Sequence, residues 1–171
     1  MSYSRKAEDV LSTHKQYKRE RQWSDEYIPA VQQLLGEAFR VNKEHITVTS
    51  DEMDTTEAAD LEMKMSGQTI AVRLRKNTTF RDLTIRTQQY IGKQTEISKI
   101  KEGYADWYFY GWIDTMGILM EWMIVDMDEV RKHKLWEKKR EIKNKDKTTG
   151  FIAIPRYELD KNECIHSQAR S

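Results

Sequence analysis

The chain has 171 residues, with 29 Lys/Arg against 28 Asp/Glu and a formal net charge of +1, so no overall field recruits nucleic acid or acidic lipid and any such contact must be local. A hydrophobic fraction of 38% with a mean hydropathy of −0.84 is lean, yet five Trp, eight Tyr and four Phe supply large buried surfaces that a disordered chain lacks. Cys164 is the single cysteine, which excludes an internal disulfide and a cysteine-rich zinc site and suits a reducing compartment. No window approaches the roughly 18 apolar residues of a membrane span, and the first residues form no apolar leader, so a cytoplasmic protein without membrane contact is expected.

Residues 4–22 mix six basic with three acidic side chains and few apolar ones, which predicts an exposed helix. Over residues 25–40, Ile28, Val31, Leu34, Leu35, Ala38 and Phe39 recur at helical spacing, with Pro29 tolerable only in the first turn. Residues 45–49 alternate around Ile46 and Val48 as a short strand. An acidic stretch over 51–62 follows, holding six carboxylates and no base.

The clearest local signal is a hairpin. Leu61, Met63 and Met65 alternate on one side, Ser66-Gly67-Gln68 makes the turn, and Ile70, Val72 and Leu74 alternate on the return. The opposite face then carries Asp60, Glu62, Lys64, Arg73 and Arg75. Residues 82–87 suit another strand, and Thr95 caps a brief helix over 95–102 that stops at Gly103. Two aromatic-rich strands, 106–113 and 118–125, read as central; aromatics at both odd and even positions indicate that the first is covered on both faces. Asp126 with Glu129 forms a capping box that opens a helix running to about residue 142. From Arg131 to Lys147 there are nine Lys/Arg against three Asp/Glu. A last strand over 150–154 is stopped by Pro155.

These elements predict an α+β fold with a mixed central β-sheet flanked by helices. Three regions are expected: an exposed helix over 1–22, one α+β domain over 23–160, and a tail over 161–171. The four histidines, at 14, 45, 133 and 166, have no metal-ligand spacing.

An acid before one strand of a hairpin, with two residues two apart on the return strand, places ionic groups on one side of a sheet. In this respect Asp60, the turn at Gly67 and Arg73-Leu74-Arg75 resemble the PD-(D/E)XK nuclease superfamily, whose members carry an Asp, a turn and then Glu-X-Lys. The spacing agrees, while Arg73 stands where the family has a metal-binding acid and Arg75 where it has the lysine. A second placement takes Glu62-Met63-Lys64 as the Glu-X-Lys, with Asp51 or Asp54 as the preceding acid. Residues 81–86, 95–99 and 103–112 look like uncharacterised phage-encoded proteins of this superfamily.

The resemblance implies a restriction-endonuclease-like fold, DNA as partner and Mg²⁺ as cofactor. Asp60, Glu62, Asp54 and Glu96 would hold the ion, Glu96 restoring the carboxylate that Arg73 removes. Asp60, Arg73 and Arg75 would form the catalytic group, the arginines steadying the scissile phosphate. Thr84, Arg86 and Lys99 would contact phosphates, and Arg131, Lys138, Lys139 and Arg140 would extend a backbone track. The rival expectation, carried by Arg73 together with the near-zero net charge and the acidic stretch over 51–62, is a phage interaction module that occupies a host defence protein; under either reading a homodimer and, for a phage-encoded chain, the host cytoplasm are expected.

Overall fold

A computed structural model describes residues 19, 22–50, 60–76, 79–88, 95–144 and 149–169. The chain divides into two compact units, Met1–Lys43 and Glu44–Ser171. In the first, residues 22–25 are helical and helix α1 spans Ile28–Phe39, with Pro29 in its first turn, where its missing N–H costs no hydrogen bond. Val31 and Leu35 are its fully buried apolar side chains. The helix ends at Arg40 in the left-handed conformation (φ 56), and the Val41 N–H then returns to the Gly36 carbonyl at 2.9 Å. A Cβ at Gly36 would lie 2.9 Å from the Val41 carbonyl oxygen, so this close return requires glycine. The helix expected within residues 1–22 lies almost wholly outside the described residues.

The second unit is α+β. Its strands are β1 (Ile46–Val48), β2 (Leu61–Met63), β3 (Gln68–Lys76), β4 (Leu83–Gln88), β5 (Trp107–Ile113), β6 (Leu119–Asp126), β7 (Ile142–Lys143), β8 (Gly150–Ile154) and β9 (Ile165–Ala169). Six of them form a mixed sheet in the order β1-β2-β3-β5-β6-β9, in which only β3 and β5 run parallel. That parallel pair needs a crossover. It contains β4 and helix α2 (Glu96–Lys101), and β4 joins the second sheet, β4-β8-β7. Two further short helices, α3 (Met127–Lys132) and α4 (Arg156–Lys161), follow β6 and β8.

Strand β3 forms where the sequence predicts, but its burial does not alternate as expected: Val72 and Leu74 are only half-buried, and the face that carries Arg73 and Arg75 is covered. Ala71, Arg73 and Arg75 stand level with Tyr108, Tyr110 and Trp112 of β5. That face of the large sheet packs into one core with Leu83 and Ile85 of β4, Ile152 and Ile154 of β8, Ile100 of α2, Val130 of α3 and Leu159 of α4. Strand β5 is buried on both faces, as its unbroken aromatic run implies.

Two expectations are corrected. The helix opened by Asp126 stops at Lys132 rather than near residue 142, although Asp126 does cap it, accepting the N–H groups of Asp128 and Glu129 at 2.9 and 3.2 Å. Leu135 gives the reason. At 100° per residue a continuous helix would point Leu135 about 140° away from the buried Val130. The chain instead turns through Lys134 (φ 48), the Leu135 N–H bonds to the Val130 carbonyl, and the side chain enters the core. Beyond Lys132 the described part of the basic run is therefore a set of turns leading into edge strand β7, not one helical face.

The second correction concerns the tail expected from residue 161. Pro155 ends β8 and then serves as the N-cap position of α4, and the chain returns as β9 antiparallel to β6. Cys164, at this return, is fully buried, with its backbone N–H on the Leu159 carbonyl and its own carbonyl accepting the Asp126 N–H at 2.8 Å. Among the described residues, no helix is long and apolar enough to cross a membrane.

Burial, reinforced by Glu129 and Asp126, pushes the Cys164 thiol up to about 11 from an ordinary 9.0. A thiol raised by folding contributes stability that is complete below pH 9 and is lost as the pH rises towards 11. Urea denaturation should accordingly show a midpoint that falls between about pH 9 and 11 in the wild type and falls less in Cys164→Ala. A native thiol that alkylates at pH 8 as fast as the unfolded chain would contradict this placement.

Candidate functional site

The β2–β3 hairpin turns at Gly67 (φ +67), whose N–H bonds to the Met63 carbonyl at 2.9 Å. Asp60 lies just before β2, where the ladder to β3 runs out. Its backbone N–H reaches the Ile70 carbonyl and its carboxylate accepts the Val72 N–H, which would otherwise lack a strand partner at this edge. Asp60 and Glu62 fall on the same face of the sheet as Thr69, Ala71, Arg73 and Arg75, because Glu62 stands opposite Thr69.

Glu96 is the hub of the site. It occupies the first turn of α2, started by Thr95, whose hydroxyl accepts the Ser98 N–H at 3.3 Å. One carboxylate oxygen receives both the Arg73 guanidinium and the Tyr108 hydroxyl; the other receives the Arg86 backbone N–H at 2.6 Å. A single side chain thus joins β3, β4, β5 and α2. The Glu96 side chain is 8% exposed and that of Arg73 25%. Burial alone would make Arg73 easier to deprotonate, but Glu96, with Asp60 as a lesser neighbour, more than reverses this and holds it firmly cationic. The Tyr108 hydroxyl is pushed well above its ordinary range, first by burial and then by the Glu96 charge, so it stays a donor.

Arg75, two residues on, has different company. Its Nε bonds to the Tyr110 hydroxyl at 2.8 Å and its Nη2 to the Thr84 hydroxyl at 2.6 Å, and these two hydroxyls are 2.8 Å apart. Thr84 is buried and Arg75 half-buried. The structure therefore brings together Asp60, Arg73, Glu96, Arg75 and Thr84 around the polar face of β3, with Glu62 on that same face. Asp54, and with it Asp51, lies outside the described residues.

The remaining expected contacts separate into two groups. Arg131 is an internal tie: it pairs with Asp128 at 2.6 Å and donates to the carbonyls of Tyr104 and Ala105 at 3.2 Å, fastening α3 to the end of α2. Lys139 forms an ion pair with Glu158 of α4. Both are committed to the fold, so the expected backbone track loses them. Lys99 is half-buried in the last turn of α2. Arg86, Lys138 and Arg140 are exposed.

Sequence reasoning missed the hydroxyls of Tyr108 and Tyr110, which were expected only as packing. It also missed a second ionic cluster at the far end of the same face. There Glu121 receives Arg81 at 2.8 Å and Arg156 at 3.4 Å, and both guanidinium groups lie over the Trp112 ring, at 5.3 and 5.8 Å from its centre. The signal available beforehand was the register alone, since Glu121 directly faces Trp112 across β5 and β6.

No protein-family model matches the chain, and no curated protein has a matching sequence.

The Arg75 cluster makes a direct prediction. Thr84→Val removes a buried hydroxyl shared by Arg75 and Tyr110 and should cost about 1–3 kcal/mol in urea unfolding, while Thr84→Ser should recover most of it. Equal stability of Val and Ser variants would contradict the hydrogen bonding described.

Proposed function

We propose that the chain is a nucleic-acid-binding protein built on a restriction-endonuclease-like arrangement, in which the acids of the expected cutting site serve the fold. The observation that carries this reading is the state of Glu96. Both of its oxygens hold donors, one of them a guanidinium, at the place where the resemblance needs an open carboxylate. A hard divalent ion requires oxygen ligands free to approach it and is repelled by a fixed cation. Mg²⁺ would have to displace Arg73 and Tyr108 from Glu96 and the Val72 N–H from Asp60. These residues do not fit the ion.

Support for binding comes from the charges left over. Arg75 is compensated by hydroxyls rather than a carboxylate among the described residues, and Arg86, Lys138, Arg140 and Lys143 are exposed. Lysine and arginine side chains that reach phosphates release condensed counterions, so such binding needs no net protein charge but falls steeply with salt. The alternative of a host-protein partner shares the same non-catalytic site; it would show as salt-insensitive capture of a protein without affinity for polynucleotide.

Fluorescence anisotropy with a labelled oligonucleotide tests this. Binding should weaken steadily between about 50 and 200 mM salt, and a Lys138→Glu/Arg140→Glu/Lys143→Glu variant should lose at least tenfold in affinity at the lower salt. Adding Mg²⁺ should not produce nicking of supercoiled plasmid. Nicking that requires Mg²⁺ and disappears in Asp60→Ala would contradict the proposal, as would absence of binding at low salt.

A further inference from the structure

The small sheet β4-β8-β7 buries Leu83, Ile85, Ile152 and Ile154 on one face; on the other, Thr84 is covered, and Arg86 and Ile142 are exposed with Phe151 half-buried. Ile85 and Ile152, which stand opposite each other, are buried in the core, as are Leu83 and Ile154. The intervening residues therefore point the other way. In that outward row Phe151 is directly opposite Arg86 on one side and Ile142 on the other. Cross-strand partners share a face, so these three side chains form one line across three strands, about 10 Å from end to end.

Exposure agrees with the register. Arg86 is exposed, Ile142 is 44% exposed and Phe151 is half-buried between them. Arg86 lies at one end of the row, and Arg140, two residues before Ile142, is exposed on the segment that leads into edge strand β7; Lys143 alternates to the opposite face. The acid of that segment nearest the row, Glu141, accepts the hydroxyl of Thr87, and both residues alternate out of the row. An aromatic ring flanked by an aliphatic side chain and a guanidinium, with a second guanidinium two residues before the aliphatic one, offers a stacking surface for a base and contacts for the phosphates beside it. Duplex bases keep their faces stacked on one another, so only a single strand can use such a surface.

We propose that the Arg86–Phe151–Ile142 row is a stacking platform for single-stranded nucleic acid, with a base laid on Phe151 and neighbouring phosphates held by Arg86 and by Arg140 at the start of the edge. The inference rests on the nucleic-acid-binding reading and assigns it a strand state and a location. Phe151 is the anchor; Arg86 supplies charge.

Anisotropy titrations of the full chain with labelled oligothymidine, with the same length of polyuridine, and with a labelled duplex test it. Single strands should bind more tightly than the duplex. Phe151→Leu should weaken single-strand binding about tenfold with little change in the salt slope, whereas Arg86→Ala should reduce the slope itself; Phe151→Tyr should restore affinity. Similar effects on the DNA and RNA strands are expected, since stacking on one ring does not read the sugar. Thermal melts accompany each variant. Should Phe151→Leu fail to fold, ultraviolet crosslinking of a 5-iodouracil strand to the wild-type chain replaces it, and the crosslink should map to the peptide containing Phe151. Equal binding of single strand and duplex, an unchanged affinity in folded Phe151→Leu, or a crosslink elsewhere would overturn the platform while leaving nucleic-acid binding intact. Absence of any binding at low salt would instead overturn the broader reading, and the platform with it.

Discussion

Everything around the polar face of β3 depends on one buried carboxylate being fully satisfied. Glu96 is drawn out of water by α2 and compensated by three donors from three different strands: a side-chain cation, a phenol and a backbone amide. Removing any one would leave a buried charge short of a partner, which is more costly than the pair is worth when intact. This constraint explains why β4 sits where it does. Its Arg86 amide has no neighbour strand on that side and finds Glu96 instead. The crossover required by the parallel β3–β5 pair is thereby pinned to the sheet it crosses.

The same constraint underlies the proposal that the acids of the hairpin serve the fold. An acid before β2 and two cations two apart on β3 share one sheet face, as the resemblance asks. Metal-assisted cleavage needs carboxylates that are prearranged yet unspent. In this chain Arg73 neutralises the acid that could have served, and the Tyr108 hydroxyl and the Arg86 amide complete its shell. The second cluster, at Glu121, repeats the pattern with two arginines and Trp112 in place of Tyr108. Both ends of the face use arginine to join layers, so its charges read as internal fastening. Arg86, Lys138, Arg140 and Lys143 are among the exposed cations.

Much of the fold was legible because it depended on local rules. The return strand over Gln68–Lys76, the cap at Thr95, the glycine at 67, the two-faced aromatic run of β5 and the stop at Pro155 all appear where periodicity and capping put them. Tertiary demands decided the rest. Leu135 ends its helix early because the core is on the wrong side for a longer one. Strand β9 carries few apolar residues, and its place is set by backbone pairing with β6, which no side-chain pattern announces. At the site, Asp60, Arg73, Arg75, Thr84 and Glu96 were legible as neighbours from strand register and the resemblance. Their roles were not, because alternation indicates which face a residue takes and not whether another layer will cover it. Phe151 escaped notice for the converse reason: a single aromatic in a short strand gains meaning only once Arg86 and Ile142 are known to flank it.

The most direct test of the central interaction is a double-mutant cycle on Arg73→Met and Glu96→Gln, followed by urea unfolding with Tyr108 left in place. The account predicts that the two losses are far from additive, with a coupling of about 2 kcal/mol or more and a double variant that is less unstable than the sum of its parts. Losses that add to within about 0.5 kcal/mol would mean that Arg73 and Glu96 do not hold each other, and the assignment of this carboxylate to the fold would be wrong.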